Sequence, residues 1–268
     1  MTRVAIIGAG PTAAFVAKAC IDFGAYTTLY AHGDIGKIPP GAFYFHWLPP
    51  ELAKKHIPIQ ILVQGKGTAE NYVKLQWGTN FVSTENSFPP QPRWEPAYNP
   101  SEVFSDLLSP KCVVQYIEFP FTDVNVEYLT TVYDLIFQTF PTQASKEKQP
   151  PLIPYYMGVR YGTEDENTPY ISYNGTGRDI VVREASLFGN LFLEFPKNVG
   201  EEFIKSNMDV TGFRLVELKD MHPDTKPWIS DNPKIKFMGR WAEWSTHRLT
   251  HEAYALTIAA LQEINDVK

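Results

Sequence analysis

The chain has 268 residues, 44% hydrophobic and 20% charged, which is ample material for a buried core and too apolar for a disordered chain. Its net charge of −6 gives phosphate backbones no general basic field, so composition does not support nucleic-acid binding, although a local basic groove stays open. No apolar run reaches the roughly 18 residues of a membrane span, and Cys20 and Cys112 have neither metal-site nor disulfide-framework spacing. We expect a cytoplasmic protein with no metal and no membrane partner.

In chain order, residues 4–7 are a short apolar run that ends at Gly8 and reads as a buried parallel strand. Residues 11–23 carry Ala14, Phe15, Ala17, Lys18 and Ile21 at helical spacing, and Gly24 stops that helix. Residues 26–30 are aromatic and β-branched and read as a second strand, completing a βαβ unit. Proline then becomes frequent. Residues 57–63 and 72–77 are the best strand-like pieces there, with Trp77, Phe81, Trp94 and Tyr98 as apolar anchors. Residues 103–108 predict a short helix capped by Ser101.

Residues 112–117 and 132–139 predict strands, and 144–151 a charged, proline-containing crossing. From 155 to 195, aromatic and β-branched residues alternate with the turn pairs Asn174-Gly175 and Gly189-Asn190, the pattern of an antiparallel sheet. A helix at 201–207, a strand at 213–218, a strand at 234–238 and a long helix at 249–264 follow.

Gly8-Ala9-Gly10-Pro11-Thr12-Ala13 stands between a predicted strand and a predicted helix. This is the dinucleotide fingerprint in its required setting. Gly8 permits the tight turn, and Gly10 lets the backbone approach a pyrophosphate. Pro11 and Thr12 open the helix whose N–H groups face the phosphates, and Ala13 is small enough for helix to meet strand. The second strand ends at Ala31, where an acidic residue ordinarily holds the adenosine ribose. Asp34 follows closely and is the candidate for that contact.

The other end of the chain bears on which dinucleotide binds. Residues 237–244, Phe-Met-Gly-Arg-Trp-Ala-Glu-Trp, are followed by Thr246-His247-Arg248-Leu249-Thr250 and a helix. The layout resembles the C-terminal flavin-binding segment of the UDP-galactopyranose mutase and flavin amine oxidase superfamily. There a strand ends in Gly-Arg, here Gly239-Arg240, and the next helix directs its N-terminus at the isoalloxazine. Trp244 falls on the aromatic position, Arg248 on an Asp and Leu249 on a Met whose backbone N–H serves the flavin. Two further segments are similar. Residues 39–46 end in Phe45-His46, as does the mutase stretch that passes the flavin, with Phe43 in place of a first histidine. Residues 133–141 resemble the strand that returns to the nucleotide and ends in Thr-x-Pro.

The resemblance covers about the first 50 residues, 112–142 and 234–265. It implies FAD as cofactor and an α/β architecture, a Rossmann-like FAD-binding fold with an antiparallel-sheet substrate region. The FAD-binding part would comprise 1–50, 112–145 and 230–268, and the substrate part 51–111 and 146–229. His46 and His247 flank the flavin-facing segments and are candidate proton carriers. Arg160, with Arg178 and Arg183, lies on the predicted sheet and is a candidate clamp for a substrate anion. Tyr155, Tyr156, Tyr161, Tyr170 and Tyr173 would supply an aromatic wall.

Such a chain is expected to be an FAD-dependent oxidase of a C–N bond in an amine or amino-acid group. Its shortness suggests a phage-encoded form, similar to the oxidases that act on a glycine-modified thymine in DNA hypermodification. The substrate is then a small molecule or a modified nucleotide. The alternatives are a mutase-like enzyme that uses reduced flavin, against which the missing first histidine speaks, and a non-catalytic dinucleotide-binding protein.

Overall fold

The computed structural model describes residues 1–32, 35, 43–78, 88–108, 111–117, 123–141, 151–162, 168–177, 179–197, 199–221, 229–243 and 249–267. The first half of the chain forms β1 (Arg3–Ile7), α1 (Pro11–Asp22), β2 (Tyr26–Ala31), α2 (Pro50–Lys55), β3 (Ile59–Gly67), α3 (Ala69–Trp77), β4 (Arg93–Ala97), α4 (Pro100–Leu108), β5 (Val113–Tyr116), α5 (Asp123–Leu129) and β6 (Leu135–Gln138). The second half forms β7 (Ile153–Tyr161), β8 (Tyr170–Gly175), β9 (Arg183–Leu187), β10 (Asn190–Glu194), α6 (Glu201–Asn207), β11 (Arg214–Asp220), β12 (Ile235–Phe237), α7 (Arg240–Glu243) and α8 (Glu252–Val267).

Five strands make a parallel sheet in the order β12-β6-β1-β2-β5. Successive strand residues point to opposite faces, so β1 serves two apolar layers at once. Val4 and Ile6 join Ala13, Ala14 and Ala17 of α1 and Ala260 and Leu261 of α8 on one side. Ala5 and Ile7 join Val126 and Leu129 of α5 on the other. Burial on both faces explains why the strand reads as an unbroken apolar run. Each of its larger side chains contributes about 1.5–3 kcal/mol by leaving water. The predicted βαβ unit is present, with Gly24 in the left-handed region (φ 83°) after α1. Cys20 and Cys112 are both free and buried.

The second sheet has seven strands in the order β11-β7-β10-β9-β8-β3-β4. All its pairings are antiparallel except β3 with β8, which run parallel. One face carries Ile61, Met157, Val159, Ile171, Ala185 and Phe192, against which Tyr44 packs. The opposite face carries Leu193, Phe195 and Tyr156 beneath Ile204 of α6.

Several expectations are corrected. Residues 72–77 are helical, not strand-like: Thr68 accepts a hydrogen bond from Asn71 N at 3.2 Å and starts α3 three residues earlier. Asn99, not Ser101, caps α4, its side-chain oxygen taking the Ser101 N–H at 3.1 Å. Trp94 is no anchor; it stands 58% exposed on the edge strand β4. The segment 51–111 is shared, for β3 and β4 join the second sheet while Leu52, Val103, Phe104 and Leu107 of α2 and α4 enter the core of α1.

Candidate functional site

The turn from β1 into α1 is built for close approach. Gly8 has φ 127°, and a Cβ there would lie 2.1 Å from Thr139 Oγ1, which itself donates to the Ile7 carbonyl at 3.0 Å. Only glycine meets both demands. Gly10 caps α1 without any side-chain hydrogen bond, Pro11 occupies the first turn, and that turn holds no acidic residue. A Cβ on Gly10 would touch nothing within 4 Å. The start of this 12-residue helix thus has no capping side chain and no acidic residue in its first turn, and among the described residues there is room beside Gly10, the arrangement that receives phosphate.

The far end of the chain closes on the same turn. Gly239 has φ 85°, and a Cβ on it would come within 2.6 Å of the Thr12 hydroxyl and methyl. These residues have the shape that a dinucleotide turn requires, and Gly8, Gly10, Pro11, Thr12 and Ala13, with Gly239 beside them, are the ones that would line a pyrophosphate. Ala31 ends β2 fully buried; Asp34 lies outside the described residues.

A second group of side chains gathers where residues 43–48 cross to the seven-stranded sheet. Phe45 and Tyr98 exchange backbone hydrogen bonds at 3.1 and 3.0 Å, which pins that crossing to the end of β4. Tyr44 Oη donates to Glu95 Oε2 at 3.1 Å, and His46 Nδ1 lies 3.4 Å from the same oxygen. Arg93 pairs with the other oxygen of Glu95. The His46 ring stands 4.3 Å from Tyr44 and 5.8 Å from His251, and Trp47 lies 6.4 Å from His251 and 5.5 Å from Tyr254. Burial lowers the pKa of His46, with Arg93 adding to it against the pull of Glu95. His251 is also lowered, by burial and then by His46. Both imidazoles are thereby favoured neutral near pH 7, as proton acceptors must be.

Sequence reasoning missed His251. It stands one turn into the final segment, 205 positions from His46, and no local pattern marks a contact that only the packing of α8 on α1 creates. His247 and Trp244 lie outside the described residues, as do Arg178 and Arg248. The Leu249 N–H, expected to be offered to the cofactor, is instead donated to Glu252 Oε2 at 3.0 Å. A glutamate three residues on reaches back and satisfies the free helix-start donor, as in a capping box.

The third group is charged, with Lys197 and Glu194 buried and Arg183 and Arg240 partly exposed. Arg240, at the start of α7, donates from Nη2 to Asp220 Oδ1 at 2.8 Å, joining the parallel-sheet part to β11. Lys197 Nζ lies 3.2 Å from Asp220 Oδ2 and 3.6 Å from the centre of the Trp77 ring. Arg183 reaches Glu194 at 2.5 Å. Arg160 is not in this group. Strand alternation turns it to the opposite face, where its guanidinium covers Phe213 at 4.9 Å. Arg183, on the face shared with Tyr44, takes the inward place instead. A surface depression of about 440 Å³ lined by Glu201, Lys205, Met208 and Phe213 lies on the Arg160 side, away from the histidines.

No known protein family and no curated protein matches the chain by sequence. Solved structures match it in fold. L-proline dehydrogenase from P. horikoshii superposes with a TM-score of 0.58 at 12% identity, over 100% of this chain and 94% of its own. The flavin-dependent halogenase CmlS gives 0.56 at 13%, over 98% of this chain. The p-nitrophenol 4-monooxygenase PnpA from Pseudomonas putida DLL-E4 gives 0.55 at 10%, over 100%. The fold is that of flavin-binding oxidoreductases. The chain spans 57% of the length of CmlS, 82% of PnpA and 94% of the proline dehydrogenase. Among the described residues, no helix is long and apolar enough to cross a membrane.

Proposed function

We propose that the chain is an FAD-dependent oxidoreductase that oxidises a C–N bond of an amine or amino-acid group. The observation that carries the cofactor assignment is the meeting of both chain ends at Thr12, where an uncapped helix start and two glycines in the left-handed half of backbone space leave room for a pyrophosphate. The flavoprotein fold and the proline dehydrogenase among its structural neighbours support the reading.

When bound, the flavin supplies the acceptor for a hydride from the carbon beside nitrogen, with oxygen as the final oxidant. The chain's own residues prepare the substrate. An amine arrives protonated, and its lone pair must be freed before that C–H bond weakens. His46, kept neutral by burial, accepts the ammonium proton, while Glu95 holds the imidazole through Nδ1 and Tyr44 lies against its ring. His251 stands next to it and takes part in passing that proton outward. Tyr44, Trp47 and Tyr254 supply apolar walls that limit water around the nitrogen.

The test is direct. Protein denatured after purification should release FAD, identified by mass spectrometry, and recovery of NADP instead would overturn the cofactor assignment. Anaerobic mixing with amines, amino acids and glycine-modified nucleosides should then bleach the oxidised-flavin spectrum for at least one of these classes. Bleaching by a UDP-sugar alone would overturn the C–N assignment.

A further inference from the structure

Five buried side-chain nitrogen or oxygen atoms among the described residues have no hydrogen-bond partner. Three of them belong to the charged group around Asp220 and Glu194: Arg183 Nε, Arg240 Nε, and Lys197 Nζ, whose one near acceptor is its ion-pair partner Asp220 Oδ2 at 3.2 Å; a fourth, Glu194 Oε2, is the oxygen that Arg183 Nη2 faces at 2.5 Å. Unsatisfied buried donors are costly, at about 1–3 kcal/mol each and more when charged, so three together ask for an acceptor. The charges point the same way. Among the described residues, the ion pairs of Arg183, Lys197 and Arg240 are with Glu194 and Asp220. With Lys197 protonated the cluster carries one uncompensated positive charge. Its Lys197 side chain is 2% exposed and lies between the Trp77 and Tyr155 rings, 3.6 and 5.3 Å away. The cluster sits on the sheet face that Tyr44 covers, the same face toward which the histidine group turns.

We propose that Arg183, Lys197 and Arg240 form an oxyanion site that takes the carboxylate of the substrate. This rests on the C–N oxidase reading and narrows it to amines that carry an acid group. One monoanion would neutralise the cluster and accept from all three idle donors. Arg183 and Lys197 belong to the sheet part and Arg240 to the α7 turn beside the dinucleotide fingerprint, so the anion would also fix the substrate relative to the cofactor.

The site has a built-in proton dependence. Burial disfavours the charged form of Lys197 and outweighs the pull of Asp220 and Glu194, while Arg240 adds to the depression. A bound carboxylate reverses that balance, because it supplies the missing counter-charge. Lys197 therefore takes up a proton as the anion enters, and affinity falls as pH rises past the point where empty-site Lys197 loses its proton.

Benzoate binding to the full chain, followed by tryptophan fluorescence and by proton uptake in two buffers of different ionisation enthalpy, tests this without any turnover. Above the titration of Lys197, wild-type affinity should drop about tenfold per pH unit. Lys197→Met should weaken benzoate by about tenfold or more and abolish proton uptake, and Lys197→Arg should restore binding without that uptake. Circular dichroism establishes that both variants are folded. Absence of benzoate binding, affinity unchanged in Lys197→Met, or tighter binding of inorganic phosphate than of benzoate would each overturn the proposal. FAD release from the same preparation is read separately, so failure here and failure of the cofactor assignment are distinguishable.

Discussion

Gly239 lies so close to Thr12 that a Cβ on it would come within 2.6 Å of both branches of the threonine side chain, 227 positions away in the chain. The contact also requires a positive φ of 85°. Gly239→Ala should therefore cost about 1–3 kcal/mol, read as a lower midpoint in urea unfolding. A midpoint equal to wild type would show that the two chain ends do not meet in this way.

Gly10 behaves differently. A side chain there meets nothing within 4 Å, so Gly10→Val should leave stability within about 1 kcal/mol of wild type. Cofactor retention should nevertheless be lost, since the branched side chain stands in the phosphate's place. Purified variant protein that is folded yet colourless is the expected result, against full retention if the pyrophosphate lies elsewhere.

His46 and His251 both have lowered pKa values in the folded chain, from burial first. Between the folded values and the ordinary histidine value of about 6.5, the unfolded chain binds more protons. Stability should thus be fully present above pH 6.5 and fall as pH drops below it. Thermal melts from pH 7.5 to 5 should show that decline, and a His46→Gln, His251→Gln double variant should flatten it.

Asp220 titrates with the opposite balance of causes. Burial pushes its carboxyl upward, but Arg240, Lys197 and the Met221 N–H together hold it below the usual range. Its stabilising charge is present above the ordinary value of about 3.9 and is lost only as pH falls through the lower folded value. Asp220→Asn removes the carboxylate paired with buried Lys197 and leaves it only the weaker pull of Glu194, a loss of up to about 3–5 kcal/mol at pH 7. Urea midpoints of this variant and wild type should differ most at pH 7 and draw together as pH falls below the ordinary carboxylate value of about 3.9.

Cys112 is pushed up to about 11 by burial, and Cys20 higher still for the same cause. Neither forms a thiolate near neutrality. Iodoacetamide at pH 8 should label neither in the native protein and both in denaturant, as mass spectrometry would show.

Local order was legible wherever a single segment carried the whole cause. Residues 4–7 form a strand because each side chain is apolar and both faces are covered. Gly8 announced a tight turn because its positive φ and the nearby Thr139 hydroxyl admit no side chain. Residues 72–77 misled because aromatic content suits strands, whereas the Thr68 cap and the packing of Tyr72 and Val73 against Val182 favour helix.

The amino-acid order by itself determined the βαβ unit, the tight glycine turn inside it and the antiparallel run from 155 to 195, since each follows from periodicity or backbone demand within a few residues. Only the tertiary structure decided that His46 meets His251, that Arg183 faces inward while Arg160 faces away, and that Arg240 binds Asp220 beside Lys197. The reason is physical. Strand register sets which face each side chain takes, and that register is settled by packing between segments far apart in the chain.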